Sequence, residues 1–190
     1  MKRKTAIQSI LALVTLGVSG VTYEFFKHGE PLPLNQLPQK KQLLAELAET
    51  IIPRTNTPGA KDCKVEDYIT KMVIENTDAR AQKIFLTGLA DVGNYANSKY
   101  RQSFVKCSVA QRNEILKHFE NKGTYSINIL NKARRKFLGA SFFNQLRDLT
   151  VEGYATSFLG ATKGMAYDYI PGVYQACIPL QKNQLAWATK

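Results

Sequence analysis

Apolar residues recur at helical spacing through most of this sequence, and that periodicity restricts its fold more than any other feature. In KKQLLAELAETIIP, five apolar side chains fall on one helical stripe, and Pro53 then ends the pattern. Those five are Leu43, Leu44, Leu47, Ile51 and Ile52. The pattern restarts in KVEDYITKMVIENT, after a loop in which Pro58 and Gly59 mark a turn. The alternation typical of strands is absent, so the sequence predicts helices throughout.

Polar residues at suitable positions mark where several of these helices begin and end. Asp78 is a predicted N-cap, because its carboxylate can accept the free N–H groups of the first turn. Ser108 and Gln111 have the spacing of a capping box. Gly123 is predicted to end the helix that this box opens.

The stretch from 126 to 160 is long and periodic, and we predict two or three helices there, with breaks near Gly139 and Thr150. The fold class is therefore predicted to be all-α. Residues 41–190 would form a compact bundle of about five to seven helices. This bundle would follow an N-terminal signal or anchor helix and end in an extended C-terminal tail.

Residues 1–28 have the pattern of an export segment. Three cations at positions 2–4 precede a mildly apolar run that carries no charge before Glu24. We predict a Tat-like or Sec-like signal or, if it is not cleaved, a membrane anchor. The predicted location is the periplasm or the periplasmic face of the inner membrane. Residues 29–40 hold three prolines and are predicted to form an extended linker.

The chain is basic, since 26 Lys and Arg residues against 15 Asp and Glu residues give 190 residues a formal net charge of +11. Such a charge suits nucleic acid, anionic lipid or an acidic protein, and it also serves solubility alone. The cations are dispersed, with one tight cluster beyond the N-terminus at 134–136. Neither an RNA-binding signature nor zinc-finger spacing accompanies that cluster, so nucleic acid is not a predicted partner.

No set of side chains suited to catalysis stands out. The two histidines, His28 and His118, are isolated, and the common metal, nucleophile and phosphate-loop motifs are absent. Neighbouring acids are predicted to face solvent: Glu46 with Glu49, Glu66 with Asp67, and Asp148 with Glu152 beside Arg147. The sequence therefore predicts no catalytic, cofactor-binding or metal-binding residue on this chain.

The chain has three cysteines, Cys63, Cys107 and Cys177, and an odd number leaves at least one thiol without an internal partner. Three arrangements agree with the sequence: a Cys63–Cys107 disulfide, a bond from one cysteine to another chain, or three reduced thiols. Metal binding by these cysteines is not predicted, because the short spacings of metal sites are missing.

Two stretches resemble a known family. LLAELAETIIPRTNTPGAKDCKVEDYI (43–69) has an apolar helix, I-I-P, a polar gap, P-G-A and a second helix. FFNQLRDLTVEGYATSFLGATKGMAYDYIPGVYQACIPL (142–180) has an F-F-x-x-L-x-x-L-T helix, then G-Y, a turn of small residues and P-G-x-Y. In this order they resemble the opening and the C-terminal part of the gluconate 2-dehydrogenase subunit 3 family. The tail lacks the pattern of the gluconate branch, so the resemblance implies no particular substrate.

Members of that family are small subunits of membrane-associated, flavin-dependent dehydrogenases of sugars and sugar acids. The resemblance implies that a large subunit holds FAD and performs the reaction, that a cytochrome c subunit often takes the electrons, and that the small subunit carries no cofactor. A non-catalytic chain of this kind would assist folding, flavin loading, export or assembly of a GMC-type sugar or alcohol dehydrogenase. The residues alone leave an alternative, a free-standing helical binding protein anchored in the envelope.

The uncharged stretch YIPGVYQACIPL is the predicted contact surface for the large subunit. Tyrosine suits interfaces because its ring is apolar while its hydroxyl tolerates water. The predicted interface residues are Tyr169, Pro171, Gly172, Tyr174 and Cys177. The resemblance also makes Cys177 the candidate for an inter-chain disulfide.

The remaining motif residues are predicted to be structural. They are Pro53, Pro58, Gly59, Ala60 and Tyr154. Pro53 would stop a helix and residues 58–60 would form a turn, while Tyr154, like Phe142 and Phe143, would lie in the core.

Overall fold

The computed structural model describes residues 33–123, 139–170, 172, 177, 179 and 182–188. Five α-helices lie within these ranges: α1 Lys41–Ile51, α2 Val65–Glu75, α3 Ala79–Tyr100, α4 Val109–Lys122 and α5 Phe142–Thr156. Short 3-10 turns and one π-helical turn accompany them, and no strand occurs among the described residues. The prediction of an all-α fold is confirmed.

Helix α5 is the centre of the bundle and packs against all four other α-helices. Its buried stripe contains Leu146, Thr150 and Gly153. The break expected near Thr150 is wrong, because α5 runs through this residue to Thr156. The Thr150 hydroxyl donates a hydrogen bond to the Leu146 carbonyl at 2.6 Å, which satisfies a fully buried polar group inside the helix.

Each α-helix contributes one apolar face to a single core, as the periodicity predicts. An aromatic cluster joins three of them: the Phe142 ring lies 5.5 Å from that of Phe85 and 5.9 Å from that of Phe119. The largest fully buried aliphatic side chains are Leu37, Leu44, Leu47, Ile69, Leu89, Ile115 and Leu146. Phe143 is partly buried against this core.

The predicted helix ends are confirmed where local chemistry sets them. The Asp78 carboxylate accepts the backbone N–H groups of Arg80 and Ala81, each at 3.0 Å. Ser108 and Gln111 form the reciprocal capping box at the start of α4. Gly139 is not helical, as expected: its φ of +82° is unfavourable for a residue with a side chain, and α5 begins three residues later. The helical stretch predicted before it, at 126–138, lies outside the described residues.

The segment before α1 differs from the extended linker expected at 29–40. Its described part forms two 3-10 turns, Leu34–Gln36 and Pro38–Lys40. Leu37, between the turns, is fully buried in the core. Residues 33–40 therefore pack on the bundle, whereas the export segment predicted at 1–28 lies outside the described residues.

We expect Gly88→Ala to lower the free energy of unfolding by about 1–3 kcal/mol, because a Cβ at this position of α3 would overlap the Phe142 ring. Gly93→Ala is the matched control, since the space around Gly93 on the same helix is open within 4 Å. It should raise the free energy of unfolding by about 0.5–1 kcal/mol through helix propensity. Urea unfolding measures both changes. If Gly88→Ala raised the free energy of unfolding as much as Gly93→Ala does, α3 and α5 would not be in this close contact.

Candidate partner-binding face

The two stretches that carry the family resemblance meet in the fold. The first contains the loop that joins α1 to α2, here called the clamped loop (residues 52–64). Near the end of α1, the Glu49 carboxylate accepts the backbone N–H groups of Arg54 and Lys61, both at 2.9 Å. The Asp62 carboxylate accepts the N–H of Gly59 at 3.0 Å. Both ends of the loop are thereby fixed to α1.

Tyr154 of α5 holds the middle of the clamped loop. Its hydroxyl donates to the Pro58 carbonyl at 2.9 Å. Burial raises the pKa of Tyr154, so the phenol stays neutral and able to donate. Ala60 is fully buried and its N–H donates to the Ile52 carbonyl at 2.9 Å. A side chain at Gly59 would overlap the Glu49 carboxylate.

The structure therefore brings together four of the five motif residues that were predicted to be structural: Pro58, Gly59, Ala60 and Tyr154. Tyr154 is partly rather than fully buried. The fifth, Pro53, is exposed and comes two residues after the end of α1. Sequence reasoning missed the role of Glu49 in this arrangement, because its bonding partners are backbone groups.

The prediction that the neighbouring acids face solvent is wrong for Glu46 and Glu66. The Glu46 side chain is only 12 % exposed and forms ion pairs with Arg112 of α4 and with Lys61, the latter at 2.5 Å. Glu46 thus links α1, α4 and the clamped loop. Glu66 is buried as well, while its neighbour Asp67 is exposed.

Glu49→Gln should lower the free energy of unfolding by about 1–3 kcal/mol. The amide offers one acceptor oxygen, and its NH₂ group would face one of the two backbone N–H groups that the carboxylate now accepts. Glu75→Gln, at an exposed position at the end of α2, removes the same charge and should change stability by less than about 0.5 kcal/mol. Similar free energies of unfolding for the two variants, measured in urea, would show that the Glu49 carboxylate does not hold the clamped loop.

Tyr154→Phe should lower the free energy of unfolding by about 0.5–1.5 kcal/mol at neutral pH, because the Pro58 carbonyl loses its donor. The folded state raises the pKa of Tyr154, so it holds the phenolic proton more tightly than the unfolded chain does. The contribution of Tyr154 is thus fully present below about pH 10 and is lost as the pH rises above it. Tyr154→Phe should therefore reduce the fall in the free energy of unfolding above about pH 10. Tyr169→Phe, at an exposed ring, should leave that fall unchanged.

The chain after α5 does not continue as a long helix. Helical structure ends with a π-helical turn at Gly160–Gly164. Ala166 then pairs with the end of the chain: its N–H donates to Ala186, and its carbonyl accepts from Ala188, both at 2.8 Å. The described residues at 186–188 therefore lie beside Ala166. The residues between these two points, 167–185, are here called the C-terminal loop, and the structure describes 167–170, 172, 177, 179 and 182–185 of them.

Large apolar side chains are exposed in this last part of the chain. Phe158 is 79 % exposed, Tyr169 86 % and Ile170 80 %. Four more apolar side chains here are exposed to a lesser extent: Leu159, Tyr167, Leu185 and Trp187. Exposed aromatic and aliphatic side chains in such number are typical of surfaces that bind another molecule.

The predicted interface residues fall in the C-terminal loop. Tyr169, Gly172 and Cys177 are all exposed, so they are accessible to a partner. Pro171 and Tyr174 lie outside the described residues. Their predicted role as contacts stays a prediction.

A cleft of about 340 Å³ separates the clamped loop from the start of the apolar C-terminal region. Polar side chains of the loop line one wall, and Leu159 lines the other. The loop residues that line it are Arg54, Thr55, Asn56, Thr57, Pro58 and Asp62. Both stretches of the family resemblance thus contribute to one concave surface.

The thiols are not joined within the chain. Cys63 is partly buried, Cys107 is buried and Cys177 is exposed, and all three are free. The Cys63–Cys107 disulfide considered above is therefore absent, and the Cys107 thiol instead donates to the Ser103 carbonyl at 3.5 Å. Cys177 is accessible for a bond to another chain.

His118 lies on α4 and contacts an aromatic ring of α3. It is exposed, and its ring stacks on Tyr95 with centroids 4.3 Å apart. Among the described residues, no three His, Cys, Asp or Glu side chains are placed to hold a metal ion. None of the described helices combines the length and the hydropathy required for a membrane span.

The described part of the chain is a small helical bundle with exposed apolar side chains after its last α-helix, and the comparisons identify its family. The family model described as gluconate 2-dehydrogenase subunit 3 matches residues 38–172, which is more than half of the chain. The match includes the clamped loop and α5. The chain belongs to the gluconate 2-dehydrogenase subunit 3 family. No curated protein and no solved structure matched the chain.

Proposed function

We propose that this chain is the non-catalytic small subunit of an FAD-dependent, GMC-type sugar or alcohol dehydrogenase. It would assist folding, flavin loading, export or assembly of the large subunit, which would hold the FAD and perform the oxidation. A cytochrome c subunit would take the electrons. Membership of a family of dehydrogenase subunits supports the proposal most directly.

The observation that carries the proposal is the exposure of large apolar side chains after α5. The described helices share one buried core, and yet Phe158, Tyr169 and Ile170 are each at least 79 % exposed. Contact with a partner would remove their apolar surface from water, at about 25 cal/mol for each Å² buried. Aromatic residues are also enriched at the centres of protein interfaces.

A non-catalytic role is supported by what the described polar groups do. Glu46 and Glu49 hold the clamped loop, and the acids Asp62 and Asp78 accept backbone N–H groups. These carboxylates are engaged in positioning the fold, so they are poorly suited to proton transfer to a substrate. The reaction is accordingly assigned to the large subunit.

Purification of a tagged chain from its native host tests the proposal. We expect an FAD-containing oxidoreductase to co-purify in constant proportion, with the flavin visible in the absorbance spectrum of the complex. The mass of the N-terminus would show whether the export segment at 1–28 is cleaved. Recovery of the chain alone from the membrane with 1–28 intact would contradict the proposal and favour the free-standing envelope protein.

A further inference from the structure

We propose that the cleft between the clamped loop and Leu159 binds an extended acidic segment of the large subunit that also carries an apolar side chain. The inference rests on the proposed function and specifies where and by what chemistry the partner is recognised. Three features of the cleft support it: its rigidity, its charge and its apolar wall.

The loop wall of the cleft is held in place from within the chain. Glu49 fixes it at Arg54 and at Lys61, and the Tyr154 hydroxyl holds the Pro58 carbonyl. These bonds lie on the side of the loop that faces the helices. The side chains of residues 54–57 are therefore presented by an ordered backbone, which reduces the entropy lost when a ligand binds.

The charge of the clamped loop favours an acidic ligand. Arg54 and Lys64 are exposed cations of the loop, while Lys61 is paired with Glu46. The one acid of the loop, Asp62, is half-buried and accepts the N–H of Gly59. The Arg54 side chain is 73 % exposed, and its ion pair with Asp62 is long, at 3.5 Å. Its guanidinium can thus receive a carboxylate in a bidentate pair, the strongest geometry for this recognition.

The uncharged groups of the loop suit a peptide backbone. The Thr55 and Thr57 hydroxyls lie 3.3 Å apart at the cleft, and Asn56 between them is exposed. Hydroxyl and amide groups both donate and accept hydrogen bonds, as an extended peptide requires. On the opposite wall, Leu159 is 38 % exposed beside Phe158 and offers an apolar contact.

Co-expression of the full chain with its large subunit tests this inference. Arg54→Glu should weaken the complex about tenfold or more, because it places a carboxylate where the ligand carries one. Lys117→Glu makes the same charge change at an exposed position of α4 outside the cleft, and it should weaken binding less than about twofold. Thermal unfolding of the two free variants verifies that both are folded.

Hydrogen exchange of the complex provides a second measurement. The backbone amides of residues 54–57 should exchange more slowly in the complex than in the free chain. Equal binding by Arg54→Glu and wild type, or unchanged exchange at 54–57 while other residues become protected, would overturn this inference and leave the proposed function standing. Failure of the wild-type chain to form any complex would instead overturn the proposed function.

Discussion

Phe85→Ala is expected to lower the free energy of unfolding by about 3–5 kcal/mol. Phe85 is fully buried in α3, and its ring packs against that of Phe142 on the central helix. Truncation removes this apolar contact and leaves a cavity that the surrounding helices fill only in part. Urea unfolding followed by far-ultraviolet circular dichroism, which reports secondary structure, measures the change.

Phe158→Ala is the matched control for this prediction, because the same side chain is removed where it is 79 % exposed. It should change the free energy of unfolding by less than about 0.5 kcal/mol. If Phe158→Ala destabilised the chain as much as Phe85→Ala does, Phe158 would belong to the core. The proposed contact surface would then lose its main aromatic residue.

The second large effect concerns binding. Replacing Phe158, Tyr169 and Ile170 together by serine should weaken the complex with the large subunit about 100-fold or more, since exposed aromatic and aliphatic anchors dominate interface energies. The free variant should unfold with almost unchanged stability. Pull-down of the co-expressed large subunit and titration of the purified chain give the two readouts.

Val109→Ser is the control for a general effect of surface polarity. Val109 is 71 % exposed at the start of α4, outside the C-terminal region. It should leave binding and stability unchanged. Full binding by the triple variant would show that the large subunit contacts another part of the chain.

The features that could be predicted from the sequence are those that depend on residues near one another along the chain. The N-cap at Asp78, the capping box at Ser108 and the break at Gly139 each depend on a few neighbouring residues. Helical periodicity likewise predicted the apolar faces of α1 and α2. The family resemblance depended on two such local patterns and is confirmed by the match to residues 38–172.

The features that sequence reasoning missed depend on distant or backbone partners. Glu46 and Arg112 are 66 residues apart, so the spacing of Glu46 and Glu49 on α1 indicated a solvent-facing surface instead of a partly buried ion pair. The pattern predicts a break near Thr150, whereas the Thr150 hydroxyl is accommodated inside α5 by the Leu146 carbonyl, a partner that a residue pattern does not show.

In the candidate site, too, the local features could be predicted from the sequence and the contacts between distant residues could not. Pro58, Gly59 and Ala60 could be assigned to a turn from their residue types. The hydrogen bond that joins this turn to Tyr154 spans 96 residues and required the fold. The return of the tail to Ala166 also depends on backbone pairing, to which the sequence gives no direct signal.

The flavin content of the large subunit tests the central claim most directly. The large subunit would be co-expressed with the full chain or without it, purified, and assayed for FAD per protein and for dehydrogenase activity. We predict full FAD occupancy and activity with the chain, a severalfold loss of both without it, and no turnover by the isolated chain. Equal flavin content and activity in the two preparations, with no complex formed, would contradict the assignment as an accessory subunit.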